Sequence, residues 1–152
     1  MPSARAVIAL EPDEQRRLIE GERVVAVATF GPRGWPHVMP LWYVPRESEI
    51  WIYTYAKSQK VRNLERDPRA TLLVETGREY ADLRGVQIEA EAEIHRDHDT
   101  VFALAKELTA RYAGAAVDDD HAAALEAQAK KRVAVRFRPV RVASWDHRKL
   151  GA

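Results

Sequence analysis

The sequence predicts one mainly β domain of the α+β class, spanning residues 1–152, in which an antiparallel sheet or barrel is flanked by helices. First, 152 residues make one domain of ordinary size, with a core large enough to fold without disulfides. Second, about six or seven segments have the composition or alternation of strands, and about four have helical spacing. Third, tight turns join most of the strands, which favours antiparallel pairing over βαβ units.

The chain begins with a predicted helix and two predicted strands. Residues 12–21 start with proline, carry acidic residues in the first turn and end with glycine, as a short helix does. Residues 22–30 are rich in valine and mostly apolar, which predicts a strand buried on both faces. Residues 35–44 predict a second strand. Because proline cannot donate to a ladder, Pro36 and Pro40 place part of that strand at an edge or a bulge.

The middle of the chain continues after a predicted turn at residues 45–49. Residues 50–55 are β-branched and aromatic, which predicts a third strand. A helix is expected over residues 58–66 and a fourth strand over residues 70–76. In residues 86–94 apolar and polar side chains alternate, which predicts a strand with one face exposed to water.

The last third contains two predicted helices and two short strands. Apolar residues recur at helical spacing over residues 101–112, and aspartates begin a second helix over residues 118–130. Residues 132–138 alternate again, Pro139 interrupts them, and residues 140–144 complete the sheet.

Composition excludes several classes of function. There are 24 Lys and Arg and 23 Asp and Glu, so the net charge of +1 gives no general attraction to nucleic acid. The absence of cysteine excludes disulfides, thiolate metal sites and a cysteine nucleophile. No apolar run reaches the length of a membrane span, and residues 1–5 lack an apolar signal core. We therefore expect a cytoplasmic protein without nucleic-acid or membrane partners.

An anion site is one interpretation of residues 58–63, which follow a strand and open a helix. Free backbone N–H groups and the helix dipole favour an anion there, and the Ser58 hydroxyl, Lys60 and Arg62 would add ligands for a phosphate. The alternative is a helix cap followed by solvated cations, and the local sequence alone favours that alternative.

Aromatic residues concentrate between positions 35 and 55. Trp35, Trp42 and Trp51 lie there with three tyrosines, on adjacent predicted strands that could wall a site for a flat ring. A packed core or a dimer interface explains the same composition. His37 lies among them, and a lone strand histidine is more often structural.

No other motif carries recognisable chemistry. The histidines and carboxylates of residues 95–99 are better explained as a polar turn than as a metal site, and residues 118–121 as a helix cap. No Gly-x-Ser-x-Gly motif and no Gly-rich phosphate loop occurs in a chain with only 7 glycines.

Four segments of the sequence carry a family resemblance: residues 34–42, 58–70, 80–86 and 144–150. The Lys-x-Arg-Asn-Leu-x-x-Asp-Pro-Arg stretch from Lys60 is the most specific. Together they resemble the flavin-binding split β-barrel superfamily, the pyridoxamine 5′-phosphate oxidase-like group that includes deazaflavin-dependent reductases. The resemblance covers nearly the whole chain.

The resemblance implies a split barrel, homodimeric, with two cofactor sites at the subunit interface. The second strand would line the ring system, Lys60 would bind the phosphate, and Trp145 would reach the ring from the partner subunit. This context favours the phosphate role of Ser58 and Lys60 over the helix cap. The cofactor contacts implied are His37, Val38, Met39, Pro40, Leu41, Tyr53, Thr54, Ser58, Lys60, Asn63, Trp145 and Lys149.

The function implied is that of an oxidoreductase, passing a hydride between coenzyme F420 or FMN and a small planar organic substrate. If a proton is needed, His37 and Tyr53 are the nearest candidates, and no metal is expected. Residues 145–149 depart from the Arg-x-His motif of the oxidase proper, which argues against vitamin oxidation. The alternatives are a non-catalytic carrier of FMN, F420 or haem, and a structural dimer in which the tryptophans only pack.

Overall fold

The computed structural model describes residue 1, residues 3–114 and residues 117–151, and this part of the chain forms a curled antiparallel sheet of seven strands flanked by helices. The strand order is β2-β1-β5-β6-β7-β4-β3, and all neighbours are antiparallel. The strands are β1 (Val25–Phe30), β2 (Pro36–Leu41), β3 (Val44–Arg46), β4 (Glu49–Tyr55), β5 (Arg69–Thr76), β6 (Arg84–His95) and β7 (Arg132–Asp146). The predicted fold class is confirmed.

Five α-helices accompany the sheet in the described residues. They are α1 (Ala4–Val7), α2 (Pro12–Gly21), α3 (Gln59–Arg66), α4 (His98–Ala113) and α5 (Asp119–Ala129), with 3₁₀ turns at Tyr80–Asp82 and His147–Gly151. The predicted helices are confirmed to within a few residues, whereas α1 and the 3₁₀ turns were not predicted. No helix in this part of the chain is long and apolar enough to cross a membrane.

The prediction of one strand over residues 35–44 followed by a turn at residues 45–49 is wrong. β2 ends at Leu41, and Val44–Arg46 forms the separate strand β3, which pairs with β4. The two strands lie at opposite edges of the sheet. Val44 is buried beside Trp51, so burial of an apolar side chain fixes this short strand where propensity indicated a turn.

Pro139 does not end the last strand. β7 runs without a break from Arg132 to Asp146, but its pairing with β6 shifts where Glu89 faces Arg141 and Ala90 faces Pro139. Val140 is therefore the extra residue of a β-bulge, one of the few places where a sheet accepts proline.

The main core lies on the inner, concave side of the sheet. Alternate residues of the strands pack there against Leu18 and Ile19 of α2 and Val61 and Leu64 of α3. A second cluster lies on the outer side, where α4 and α5 cover β3, β4 and the start of β7. The outer faces of β1, β2 and β5 are left without a covering helix in the described residues, and on β6 only Arg5 of α1 lies beside the outward residues Gln87 and Glu89.

Candidate functional site

Lys60 is a buried cation without an anionic partner. Its side chain is only 8% exposed, and Nζ donates a hydrogen bond to Thr54 Oγ1 at 2.9 Å. No ion pair among the described residues includes it. Burial lowers the pKa of Lys60, and the nearby Arg132 lowers it further. Burying an unpaired charge costs free energy, so this position is suited to receive an anion.

Arg132 is the second cation of this site, and sequence reasoning missed it. It pairs with Tyr55 across the β4–β7 ladder, and its guanidinium lies 3.9 Å from the Tyr55 ring centroid and 4.9 Å from that of Tyr53. Its Nε is buried without a hydrogen bond. Only the register of two strands distant in sequence brings Arg132 beside Lys60, so no local motif could have identified it.

Two hydroxyl groups at the end of β4 also lack partners. Ser58 occupies the N-cap position of α3, yet its side chain makes no capping hydrogen bond, and its Oγ is buried. The buried Tyr53 hydroxyl is unpaired as well, and burial raises the pKa of Tyr53. Buried polar atoms are normally hydrogen-bonded, so Ser58, two residues before Lys60, and Tyr53, whose ring lies against Arg132, offer unsatisfied groups to a polar ligand.

Asn63 is fully buried, but its polar atoms are already occupied. Its Nδ2 donates to Thr29 Oγ1 at 3.0 Å, and its Oδ1 accepts from Gln59 at 2.8 Å and Arg66 at 3.3 Å. The side chain therefore fixes α3 against β1. Within this chain its amide is a positioning group for the Lys60 site. The second N–H of Nδ2 makes no hydrogen bond to the described residues, and the expected cofactor contact stays a prediction.

Asn63→Ala is expected to lower the free energy of unfolding by about 1–3 kcal/mol, because the buried Thr29 hydroxyl loses its partner. Gln59→Ala, on the exposed side of the same hydrogen-bonded group, is the control and should change stability by less than about 0.5 kcal/mol. Urea denaturation measures both. Equal losses in the two variants would contradict the role assigned to Asn63.

The strand predicted to line the ring divides its side chains between two faces. His37, Met39 and Leu41 pair with the inward residues Thr29, Val27 and Val25 and share their side. Val38 and Pro40 point to the outer side. His37 is half-buried, with an unpaired Nδ1. The side chains of residues 37–41 therefore cannot all face one ring. Only the backbone of the strand can face a ring along its whole length.

β2 is an edge strand, so half of its backbone groups face away from the sheet. Gly31 N–H donates a hydrogen bond to Trp35 O, and this bond sets the alternation along the β1–β2 ladder. The odd-numbered residues of β2 therefore form the backbone hydrogen bonds with β1. The even-numbered residues then point to the free edge. Pro36 and Pro40 have no N–H, so Val38 supplies the single N–H donor of the even-numbered residues of β2. Carbonyl oxygens at the free edge lie on both sides of that donor.

Trp145 lies far from Lys60 within one chain. It pairs with Gly85, and a Cβ on Gly85 would approach Trp145 Cζ2 to 2.5 Å, so the indole lies directly on the glycine. Tyr53 pairs with Ala134 of the same strand. At about 3.3 Å per residue, the length along β7 from Ala134 to Trp145 is roughly 35 Å, so the two residues lie near opposite ends of the strand. A single subunit does not bring Trp145 to the Lys60 site.

Lys149 is likewise distant and already engaged. Its Nζ donates to Ala9 O at 2.9 Å and pairs with Glu14 at 2.7 Å. These contacts tie the C-terminal segment to α2, so in one subunit Lys149 has a structural role.

The aromatic residues do not form the common wall that their sequence positions allowed. Trp35 is 73% exposed, and Trp42 stacks on Tyr112 of α4 with ring centroids 4.3 Å apart. Trp51 packs between β4 and α4 and stacks on His95 at 5.2 Å. For Trp51, the packed-core alternative is therefore the one observed. Trp42 supports α4 and is not part of the Lys60 site.

The acidic and histidine-rich runs are structural in the described residues. Asp118 caps α5 by accepting a hydrogen bond from His121 N–H at 2.9 Å, which confirms the capping interpretation. Among the residues described, no three His, Asp or Glu side chains converge in a way that would hold a metal ion.

A groove of about 450 Å³ opens on the uncovered outer face of the sheet. Alanine, proline and threonine side chains of β1, β2 and β5 line it together with Phe30, Val140 and the charged residues Arg69, Glu89 and Glu91. Phe30 and Val140 are 52% and 67% exposed, and Val38 beside them is 56% exposed. Large apolar side chains on an uncovered sheet face are typical of a protein interface.

Comparison with known proteins gives the context of this geometry. Residues 11–146 match the family described as pyridoxamine 5′-phosphate oxidase. The crystal structure of a conserved hypothetical protein from Mycobacterium tuberculosis superposes with a TM-score of 0.90 at 39% identity, covering 99% of this chain and 94% of that one. No match was found among curated proteins.

Two more distant structures share the fold. A structure named F420 reductase superposes with a TM-score of 0.62 at 22% identity, covering 94% of this chain and 98% of that one. The heme storage protein of Vibrio cholerae superposes with a TM-score of 0.67 at 16% identity, covering 90% of this chain and 96% of that one. At these identities the similarity concerns the fold alone.

Proposed function

Because this chain belongs to the pyridoxamine 5′-phosphate oxidase family, we propose that it is an oxidoreductase that holds FMN or coenzyme F420 and acts on a small planar organic substrate. The observation that carries the proposal is the buried, unpaired Lys60. Both cofactors have a phosphate and a flat tricyclic ring, and Lys60 has the charge and burial that a phosphate ligand requires.

The phosphate would be held at the end of β4 and the start of α3. Lys60 and Arg132 supply two positive charges, and the unpaired Ser58 hydroxyl supplies a hydrogen-bond donor. The first N–H groups of α3 lie beside them and carry the positive end of the helix dipole. The unpaired polar atoms of this site fit a phosphate, since each of them would gain a partner that it lacks.

The ring would lie along the free edge of β2. Val38 N–H, with a carbonyl oxygen on each side, matches a planar heterocycle whose edge alternates acceptors and donors. When bound, such a ring donates or accepts a hydride, and the protein contributes orientation and exclusion of water. His37 Nδ1 and the Tyr53 hydroxyl are the unpaired groups that can hold a proton nearby. The raised pKa of Tyr53 keeps its hydroxyl protonated, so it acts as a donor.

A second copy of the chain would complete the site. The uncovered outer face of β1 and β2 exposes the apolar side chains of Phe30 and Val38, as an interface does, and Trp145 lies too far from Lys60 to serve its own subunit. In a twofold dimer each Trp145 would meet the ring held by the partner. The proposed active protein is therefore a homodimer with two sites.

The experiment is a titration of the purified protein with FMN, F420 and haem, followed by absorbance and fluorescence. We expect saturable binding of FMN or F420 at micromolar concentration or below, and reduction of the bound cofactor by a suitable donor. Binding of haem alone would favour the carrier, and failure of both FMN and F420 to bind would overturn the proposal.

A further inference from the structure

A second polar cavity, of about 320 Å³, lies between α2, the first residue of β6 and the C-terminal segment. Each of these elements contributes an arginine to its lining: Arg17, Arg84 and Arg148. The buried side chains of Leu10 and Leu18 form an apolar part of the wall. Three guanidinium groups around one small cavity form an arrangement that attracts oxyanions.

Arg148 is held in place by a buried carboxylate. Asp146 is 2% exposed and accepts hydrogen bonds from Arg148 Nε at 2.9 Å and Nη2 at 2.6 Å, and from the Arg148 backbone N–H at 3.0 Å. Arg148 lowers the pKa of Asp146 through these contacts, and Arg84 adds to the effect from nearby. The fork geometry fixes the plane of the guanidinium and leaves its Nη1 without a hydrogen bond to any described residue.

The acidic groups around the cavity leave two of its guanidinium groups without an ion-pair partner in the described part of the chain. Arg17 and Arg84 form no ion pair with the residues that the structure describes. Glu14 is already neutralised, because it pairs with Lys149 at 2.7 Å and accepts the Glu11 N–H at 2.7 Å. Glu22 is the remaining acid in the lining. Among the described residues, Arg17 and Arg84 therefore remain without a carboxylate at ion-pair distance, although Glu14, Glu22 and Asp82 lie around the same cavity.

This cavity lies far from Lys60. β6 begins at Arg84 and ends at His95, and His95 pairs with Ala134 of β7. The residue of β7 before Ala134 pairs with Thr54, to which Lys60 is hydrogen-bonded. At about 3.3 Å per residue, the length of β6 along the strand from Arg84 to that end is roughly 35 Å, so the cavity and Lys60 lie near opposite ends of the strand. A ligand in the cavity therefore does not touch the Lys60 site of the same subunit.

We propose that the cavity lined by Arg17, Arg84 and Arg148 is a second ligand site, which binds the phosphate or carboxylate group of a small molecule whose apolar part lies against Leu10 and Leu18. Both groups present paired oxygens that match a guanidinium fork. The proposal does not depend on which cofactor the Lys60 site binds.

The test is thermal unfolding in sodium phosphate and in sodium succinate, with ionic strength held constant by sodium chloride. A Lys60→Gln background removes the contribution of the first site. We expect the unfolding temperature to rise saturably with at least one anion at millimolar concentration. Arg84→Gln should raise the apparent dissociation constant by roughly tenfold or more. If Arg84→Gln lowers stability without anion, the exposed Arg17→Gln replaces it.

The matched control is Arg16→Gln, which removes one charge from the same helix but lies outside the cavity. It should leave the dissociation constant unchanged. Absence of a saturable effect with both anions would overturn the proposal. An equal weakening in Arg16→Gln and Arg84→Gln would also overturn it, because the effect would then be one of net charge.

Discussion

Lys60→Gln is expected to weaken the binding of FMN or F420 by about 10–150-fold, equivalent to the roughly 1.5–3 kcal/mol of a hydrogen bond to a charged group. Lys60 is buried, and its amine has only the neutral Thr54 hydroxyl as a partner, so a phosphate would be its counter-ion. Titration of cofactor fluorescence with wild-type and variant protein measures the difference. The loss should be largest at low salt, where electrostatic attraction is least screened.

Lys57→Gln is the control, because it removes the same charge from an exposed position three residues earlier. It should leave the affinity nearly unchanged, and equal losses in both variants would contradict a direct phosphate contact. The cofactor-free Lys60→Gln protein should unfold at or above the wild-type temperature, since burial already lowers the pKa of Lys60 and its charge opposes folding. The weaker binding then cannot be attributed to unfolding.

Ala28→Glu is expected to separate the proposed dimer. Ala28 is half-buried on the outer face of β1 and lines the groove there, between Val38 of β2 and Thr71 of β5. A carboxylate at this position remains in water in the monomer but would be buried in the dimer, at a cost of about 3 kcal/mol or more. The dimer dissociation constant should rise by roughly 100-fold or more, as sedimentation velocity over a range of concentrations would measure.

Ala127→Glu makes the same substitution at an exposed position of α5, and this variant should associate as the wild type does. Cofactor affinity should fall together with dimerisation in Ala28→Glu if both subunits form the site. A variant that remains dimeric would show that the outer face is not the interface. A monomer with wild-type affinity would show that the site belongs to one chain.

The sequence predicted those features that depend on neighbouring residues. The alternation in residues 86–94 and the acidic start and glycine end of α2 identified their elements, because side-chain direction and capping are local properties. Ser58 and Lys60 were placed together for the same reason, since a strand, a loop and a helix follow one another there. The environment of Lys60 agrees with the anion interpretation that the family resemblance favoured.

Features that depend on distant pairing were not predictable in this way. Arg132 is next to Lys60 only because β7 pairs with β4. Pro139 is tolerated in β7 only because the pairing of β7 with β6 contains a bulge at that point. Trp42 was placed beside the ring site on the basis of proximity in sequence, but it stacks on α4, whose position the sequence did not specify. Local patterns identify elements, whereas the register of the sheet decides which side chains meet.

The free edge of β2 has a consequence for the behaviour of the protein at high concentration. An exposed strand edge is a template to which strands of other molecules add, and such addition leads to aggregation. Pro36 and Pro40 remove two of the donors that a continuous intermolecular ladder would need, and they leave only the donor of Val38 between them. The same two prolines that leave the edge open to a flat small molecule therefore protect it against growth into a larger sheet.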